Sequence, residues 1–289
     1  MRKETPPPAV PVVGIGASAG GLEAFTALLK ALPPDTGMAF VLISHLGHEQ
    51  KSILDQLLSK ATSMPVIQLR RKTVVEPNHV YVIPPNKELS IEDGYLGIKR
   101  LVATERPSMV IDRFFRSLAL HRKGKAIGVI LSGTGSDGTL GLDEIKGQDG
   151  ITFVQDAASA AYGEMPRSAQ SSADYVLPPD QIAKELKRIA NHPYVSKAPA
   201  EAAAESIDEP KQIFRLIQRA RGVDFSRYKP PSVRRRIARR MLLKHVESLA
   251  DYLNQLRTNK EELDALYEDL LITVTEFFRD PGVFDFPEE

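Results

Sequence analysis

Gly14-Ile15-Gly16-Ala17-Ser18-Ala19-Gly20-Gly21 follows the apolar run Pro11-Val12-Val13 and precedes the helical pattern Leu22-Glu23-Ala24-Phe25. The stretch reads as a buried strand, a glycine turn and a helix start, with a serine at the apex. Such a turn serves either of two chemistries. It cradles a phosphate on the helix N-terminus, or it raises a serine hydroxyl above a sheet as a nucleophile. Glycines at 14, 16 and 20 give a G-x-G-x-x-x-G spacing, which is a weak signal alone. A dinucleotide site also calls for an acid at the end of the second strand, to hold the ribose. Here the predicted strand 38–44 runs into His45. A histidine there speaks against a dinucleotide and for serine–histidine chemistry.

Outward from this unit the same alternation continues. Short apolar runs at 11–16, 38–44, 65–68, 79–83, 126–131, 151–154 and 174–177 predict strands. Apolar periodicity at 20–32, 49–62, 108–122, 136–147 and 180–191 predicts helices. Several strands are continuously apolar, as when helices cover both faces of a parallel sheet. Glu92-Asp93-Gly94, between runs at 88–91 and 95–98, signals a hairpin. The expected class is α/β: a mostly parallel sheet flanked by helices in a three-layer sandwich, over residues 11–194, behind a disordered 1–10. Residues 195–209 are small and polar and read as a linker. Beyond them the β signal ends. Amphipathic patterns at 210–222, 231–245, 247–257 and 260–274 predict a small all-α bundle within 210–289.

Composition bounds the function. The 289 residues include no cysteine, which excludes disulfides, a thiol nucleophile and cysteine zinc sites, and fits a cytoplasmic location. No apolar run approaches the ~20 residues of a membrane span, and the start MRKETPPPAV is unlike a signal peptide. A formal net charge of +1 hides an asymmetry. From Lys211 to Lys244 there are twelve Lys/Arg and one acid, Asp224; from Glu261 onward there are ten acids and one base, Arg279. Val233, Ile237 and Met241 repeat at i, i+4, i+8 and mark a core face, leaving Arg235, Arg236, Arg239 and Arg240 as a stripe on another. A helical charge stripe is ordinarily a solvated face. Five arginines from 234 to 240 without a local acid exceed what solubility needs. Nucleic acid is not expected as a partner, since base-reading and aromatic stacking residues are lacking at useful spacing.

Three residues at predicted strand ends form a candidate constellation. Ser18 heads the first turn, and His45 emerges at the end of the second strand. Asp137 lies in the loop Leu131-Ser132-Gly133-Thr134-Gly135-Ser136-Asp137-Gly138, where another apolar strand meets a helix. Each has a plainer reading: a phosphate turn, a loop histidine and a helix N-cap. Together they are nucleophile, base and orienter in a Ser…His…Asp order that differs from ordinary α/β hydrolases. Backbone N–H groups of Gly16, Ala17, Ala19, Thr134 and Gly135 are candidate oxyanion donors, because glycine lets the backbone approach closely. No metal is expected.

At these residues the chain resembles a known family. GIGASAGG at 14–21, SHL at 44–46, ERPSMVIDRFFRSLA at 105–119, VILSGTGSDGTLGL at 129–142 and YGEMPRSA at 162–169 are similar to the catalytic domain of chemotaxis protein-glutamate methylesterases (CheB). The resemblance covers about 11–192. It implies a Ser-His-Asp triad of Ser18, His45 and Asp137 and hydrolysis of glutamyl methyl esters on the cytoplasmic helices of methyl-accepting chemoreceptors. Deamidation of particular glutamines often accompanies that activity, and no cofactor is needed. A response regulator would act in trans, and no membrane insertion is implied. The chain departs from stand-alone members at Ala19, Ser44, Leu46 and Thr134. The alternative it leaves open is a low-activity receptor-binding or regulatory module.

Residues 212–280, with SVRRRIARRM at 232–241 and LLITVTEFFRDP at 270–281, resemble the N-terminal helical domain of chemotaxis receptor methyltransferases (CheR). That implies docking of Arg235, Arg236, Arg239 and Arg240 to acidic receptor helices. It also implies places for Thr275 and Arg279 at an S-adenosylmethionine pocket. The nucleotide-binding domain that would complete the pocket is not seen after Pro281, so the expected whole is an esterase–transferase fusion of which this is the front part.

Overall fold

The computed structural model describes residues 10–44, 54–84, 87–100, 109–196, 210–225 and 230–271. They belong to two compact units, divided between Ser196 and Lys197. The first unit carries strands β1 (Val12–Ala17), β2 (Ala39–Ser44), β3 (Val66–Gln68), β4 (Thr73–Val74), β5 (His79–Val82), β6 (Lys87–Glu92), β7 (Tyr95–Arg100), β8 (Ala126–Ile130), β9 (Ile151–Gln155) and β10 (Tyr175–Leu177). Its helices are α1 (Gly21–Ala31), α2 (Leu54–Leu58), α3 (Val110–Arg122), α4 (Thr139–Gly147), α5 (Glu164–Ala169), α6 (Pro179–Ala190) and α7 (Pro193–Ser196).

Seven strands form one sheet in the order β10-β9-β8-β1-β2-β5-β3, and every neighbouring pair is parallel. Every residue of β1, β2, β8 and β9 is buried. Covered on both faces, these strands read as apolar runs rather than alternations. Helices α1 and α6 pack together, α1 burying Phe25, Leu28 and Leu29; α3 and α4 pair likewise. Bare positions on the strands let α3 and α4 come close. A Cβ on Gly14 would stand 2.9 Å from Phe115 of α3, and one on Gly128 only 2.6 Å from Leu142 of α4. A small antiparallel sheet, β4-β7-β6, lies against α3, where Ser117 Oγ accepts from Ile91 N at 3.1 Å.

The predicted layers and the predicted strands are all present. Of the helix expected at 49–62, residues 49–53 lie outside the described residues, 54–58 form α2, and 59–61 are turn rather than helix, so the helix ends earlier than expected. Three short elements, β4, α5 and α7, add to the expectation. Within 195–209, α7 takes in Val195 and Ser196, and 197–209 lie outside the described residues.

The second unit comprises α8 (Pro210–Arg221), α9 (Pro230–Leu243), α10 (Leu249–Thr258) and α11 (Lys260–Leu271). Ile213, Ile217, Phe225, Val233, Ile237, Tyr252, Leu256, Leu266 and Leu270 form its own core. Ser248 caps α10, its hydroxyl accepting from Asp251 N at 3.1 Å.

The expectation of an arginine docking stripe is corrected here for Arg236, Arg239 and Arg240. Arg236 is 5% exposed and Arg239 2%. Arg236 donates to the Asp269 carbonyl, and Arg239 to the Asp269 carboxylate at 3.2 Å. Arg240 grips Glu262 through Nε at 2.9 Å and through a second guanidinium nitrogen. Lys244 Nζ stands 3.1 Å from the same carboxylate, and Tyr252 donates its hydroxyl to it at 2.7 Å. Arg235 is only partly exposed. The acids that answer this arginine run are on α11, a long way along the chain, so the local sequence showed none. Burial alone would push the Glu262 pKa up; its bonds to Arg240, Tyr252 and Lys244 outweigh burial and hold it below the ordinary value. Burial and the Glu262 charge push the Tyr252 hydroxyl pKa up.

Candidate active site

The strand order turns at β1, with β2 on one side and β8 on the other. At such a switch point the loops beyond the carboxyl ends diverge and leave a crevice, where α/β proteins place their sites. Ser18 stands directly after β1 and is partly exposed. Its N–H donates to the Ser132 carbonyl at 3.0 Å, and its carbonyl accepts from Gly21 N at 2.9 Å. Among the described residues none is bonded to its hydroxyl. Gly20 makes the turn possible. It adopts φ 70°, in the left-handed region, and a Cβ there would lie 2.7 Å from Ser132 Oγ and 2.9 Å from Ala161 Cβ.

Asp137 lies beyond β8 at the same edge of the sheet, 8% exposed. Its carboxylate does not cap the helix that follows it, where Gly138 takes the N-cap position. It caps α3 instead: Oδ2 accepts from Ile111 N and Oδ1 from Asp112 N, each at 3.0 Å. Two first-turn N–H groups and the positive end of the helix hold the carboxylate in one orientation. β2 ends at Ser44, in register with Ala17 beside Ser18. His45 lies outside the described residues, as do Thr275 and Arg279.

The candidate oxyanion donors separate. Gly16 and Ala17 belong to the β1 ladder rather than to the turn. Gly135 N is occupied, donating to Glu164 Oε2 at 3.2 Å, and the neighbouring Gly133 N donates to the Tyr162 carbonyl at 3.0 Å. Ala19 N and Thr134 N meet no acceptor among the described residues, and neither does Gly20 N, which the sequence reading passed over. It also passed over Ser132, the first polar residue after the apolar strand, which is 1% exposed and bonded to the Ser18 turn. Among the described residues no group of three or more His, Asp or Glu is placed to hold a metal ion.

Comparison with known proteins agrees with this architecture. Residues 13–186 match the CheB methylesterase family, and 208–271 match the all-alpha domain of CheR methyltransferases. An uncharacterised 104.1 kDa protein of Rhodobacter capsulatus is 33% identical over 261 residues, 79% of this chain and 26% of that protein. A protein-glutamate methylesterase/protein-glutamine glutaminase of Burkholderia orbicola is 40% identical over 180 residues, 61% of this chain and 52% of its own length. The crystal structure of the Thermotoga maritima CheB methylesterase catalytic domain superposes with a TM-score of 0.56 at 27% identity, covering 62% of this chain and 97% of that one. The chain thus spans about a quarter to a half of these two longer relatives. With its parallel sheet, its turn at Ser18 and a family match running from β1 to α6, the chain belongs to the CheB methylesterase family and continues into a CheR-type all-alpha domain.

Proposed function

We propose that this chain hydrolyses methyl esters of glutamate side chains in proteins, with chemoreceptor helices as substrate, and that Ser18, His45 and Asp137 carry the reaction. Ser18 Oγ attacks the ester carbonyl while His45 takes its proton. Asp137 holds the imidazole and balances the imidazolium. Collapse of the tetrahedral intermediate passes that proton to the departing methanol and leaves a glutamyl ester on Ser18. Water, deprotonated by His45, then attacks this ester, and the released products are the glutamate carboxylate and the free serine. The same sequence with ammonia as leaving group deamidates glutamine, as the paired names of the relatives suggest.

The observation that supports this reading best is the pairing of two groups at one switch point. Ser18 presents a hydroxyl unbonded among the described residues from a turn whose backbone is pinned. Asp137 stands in a helix-capped carboxylate grip at the same sheet edge. A phosphate-binding turn has no use for the second.

The test is methanol release from a methylated chemoreceptor fragment, comparing this chain with Ser18→Ala. The variant is expected to lose about six orders of magnitude in kcat, as when the serine of another triad is removed. Equal release by the two proteins, or none from the folded wild type, overturns the proposal.

A further inference from the structure

Ser132 is buried, and its N–H, carbonyl and hydroxyl are all bonded to parts of the site. Its N–H donates to Gln155 Oε1 at the end of β9, at 2.9 Å. Its carbonyl accepts from Ser18 N at 3.0 Å. Its hydroxyl donates to the Ala19 carbonyl at 2.8 Å and accepts from Tyr162 N at 3.0 Å. Three loops that leave three strands are thereby tied at one side chain. The fit is close, since the Cβ that Gly20 lacks would stand 2.7 Å from this hydroxyl.

Consider what these bonds do to the turn. A trans peptide group is planar, with its N–H and C=O on opposite sides. The Ser18 carbonyl is held by Gly21 N, which fixes the plane carrying the Ala19 N–H. The Ala19 carbonyl is held by the Ser132 hydroxyl, which fixes the plane carrying the Gly20 N–H. Both N–H groups lie at the start of α1 and have no acceptor among the described residues. Donors fixed before reaction stabilise an oxyanion without reorganising as the charge develops.

We infer that Ser132 is a positioning residue for the esterase reaction: its hydroxyl locks the Ala19–Gly20 peptide, and its carbonyl locks Ser18 N, so that the oxyanion donors beside Ser18 are aimed in advance. The inference rests on the reading of Ser18 as nucleophile. Ser132 itself does not touch the ester. Its loss therefore slows the chemical step and leaves substrate binding alone.

The experiment uses the full chain, a methylated chemoreceptor fragment and a fluorophosphonate that labels the nucleophilic serine. All rates are taken at a temperature where circular dichroism gives the wild-type helix signal. Ser132→Ala is expected to lower kcat about ten- to a hundredfold, less than or equal to the loss of one direct oxyanion donor. KM stays unchanged, and the labelling rate falls in parallel with kcat. Ser132→Thr, which keeps the oxygen, recovers most of both. Wild-type kcat and labelling in Ser132→Ala, or a loss confined to KM, overturns the inference. If Ser132→Ala does not fold, Ser132→Thr decides: near-wild-type kcat supports the inference, and a folded but equally impaired threonine variant overturns it. Ser18→Ala run alongside reports on the nucleophile independently, so an unlabelled wild type or an active Ser18→Ala marks failure of that underlying reading instead.

Discussion

Two aspartates on different segments cap each other's helix. Asp137, in the loop before α4, receives the Ile111 and Asp112 N–H groups of α3. Asp112, in the first turn of α3, receives Gly141 N of α4 at 2.6 Å. The exchange braces α3 against α4 and fixes the carboxylate assigned to orient the imidazole. It has a cost at Asp112, which is 2% exposed and whose Oδ2 meets no partner among the described residues. Burial pushes its pKa up, and the Asp137 charge adds to this against the opposing Gly141 bond. A folded-state value raised above the unfolded one means that the folded protein binds the proton more tightly. The stability it contributes is therefore full below the ordinary aspartate value of about 3.9 and is lost as pH rises through the raised one. Asp112→Asn removes that titration. The stability of Asp112→Asn relative to wild type, measured by urea unfolding, is expected to improve as pH rises above about 4 and to level off once pH passes the raised value. A difference that does not change with pH would contradict the assignment. None of this cross-capping was legible locally: a loop aspartate before a helix reads as that helix's own cap, and its real partner lies 26 residues earlier.

Elements carry their own lesson. The central strands were legible because residues covered on both faces must be apolar throughout, as in Ala39–Ser44 and Ala126–Ile130. Thr73–Val74 and Glu164–Ala169 were not, because two-residue and six-residue elements show too few periods to stand out. The arginines of α9 were misread for a different reason. Helical spacing tells which residues share a face but not what a neighbouring helix brings to it, and α11 brings Glu262 and Asp269. The glycine pattern was seen but its full use was not. Gly16 looked like part of a ligand turn, whereas its missing side chain admits α3: a Cβ there would lie 2.5 Å from Ile111 Cγ2 and 3.2 Å from Ile130 Cδ1. Ile111 is also the residue whose N–H holds Asp137. Gly16→Ala must therefore push the start of α3 away from the sheet and disturb the Asp137 grip at once. The expected outcome is a loss of about 1–3 kcal/mol in urea unfolding, typical of overpacking. A lower kcat at unchanged KM should accompany it in the methanol-release assay. Unaltered kcat in a destabilised Gly16→Ala would separate the packing from the site and refute the link.

At the scale of the whole molecule, two different kinds of core share one chain. The α/β unit is built on apolar strands and helices, from Val12 and Phe115 to Ile145 and Met165. The helical unit adds to its apolar core a buried ionic knot of Arg236, Arg239, Arg240, Glu262 and Asp269. Separate cores predict separate transitions in calorimetry of the full chain, in which case one two-state fit does not apply. The two transitions should then be told apart by charge. Glu262 ionises below the ordinary value, so the stability it gives the helical unit is present above about pH 4.3 and is lost as pH falls through the lowered value. Glu262→Gln leaves Arg240 and Lys244 facing a neutral group inside the bundle. Breaking a buried pair from one side costs about 3 kcal/mol or more, a midpoint shift on the order of 10–20 °C for a unit of this size. At neutral pH one transition should therefore move down by that amount in Glu262→Gln while the other stays in place. As pH is lowered below about 4 the wild-type transition should move toward that of the variant. A single transition that shifts as a whole would mean that the two units unfold as one, and a variant with the wild-type profile would mean that the ionic knot contributes nothing to holding the bundle together.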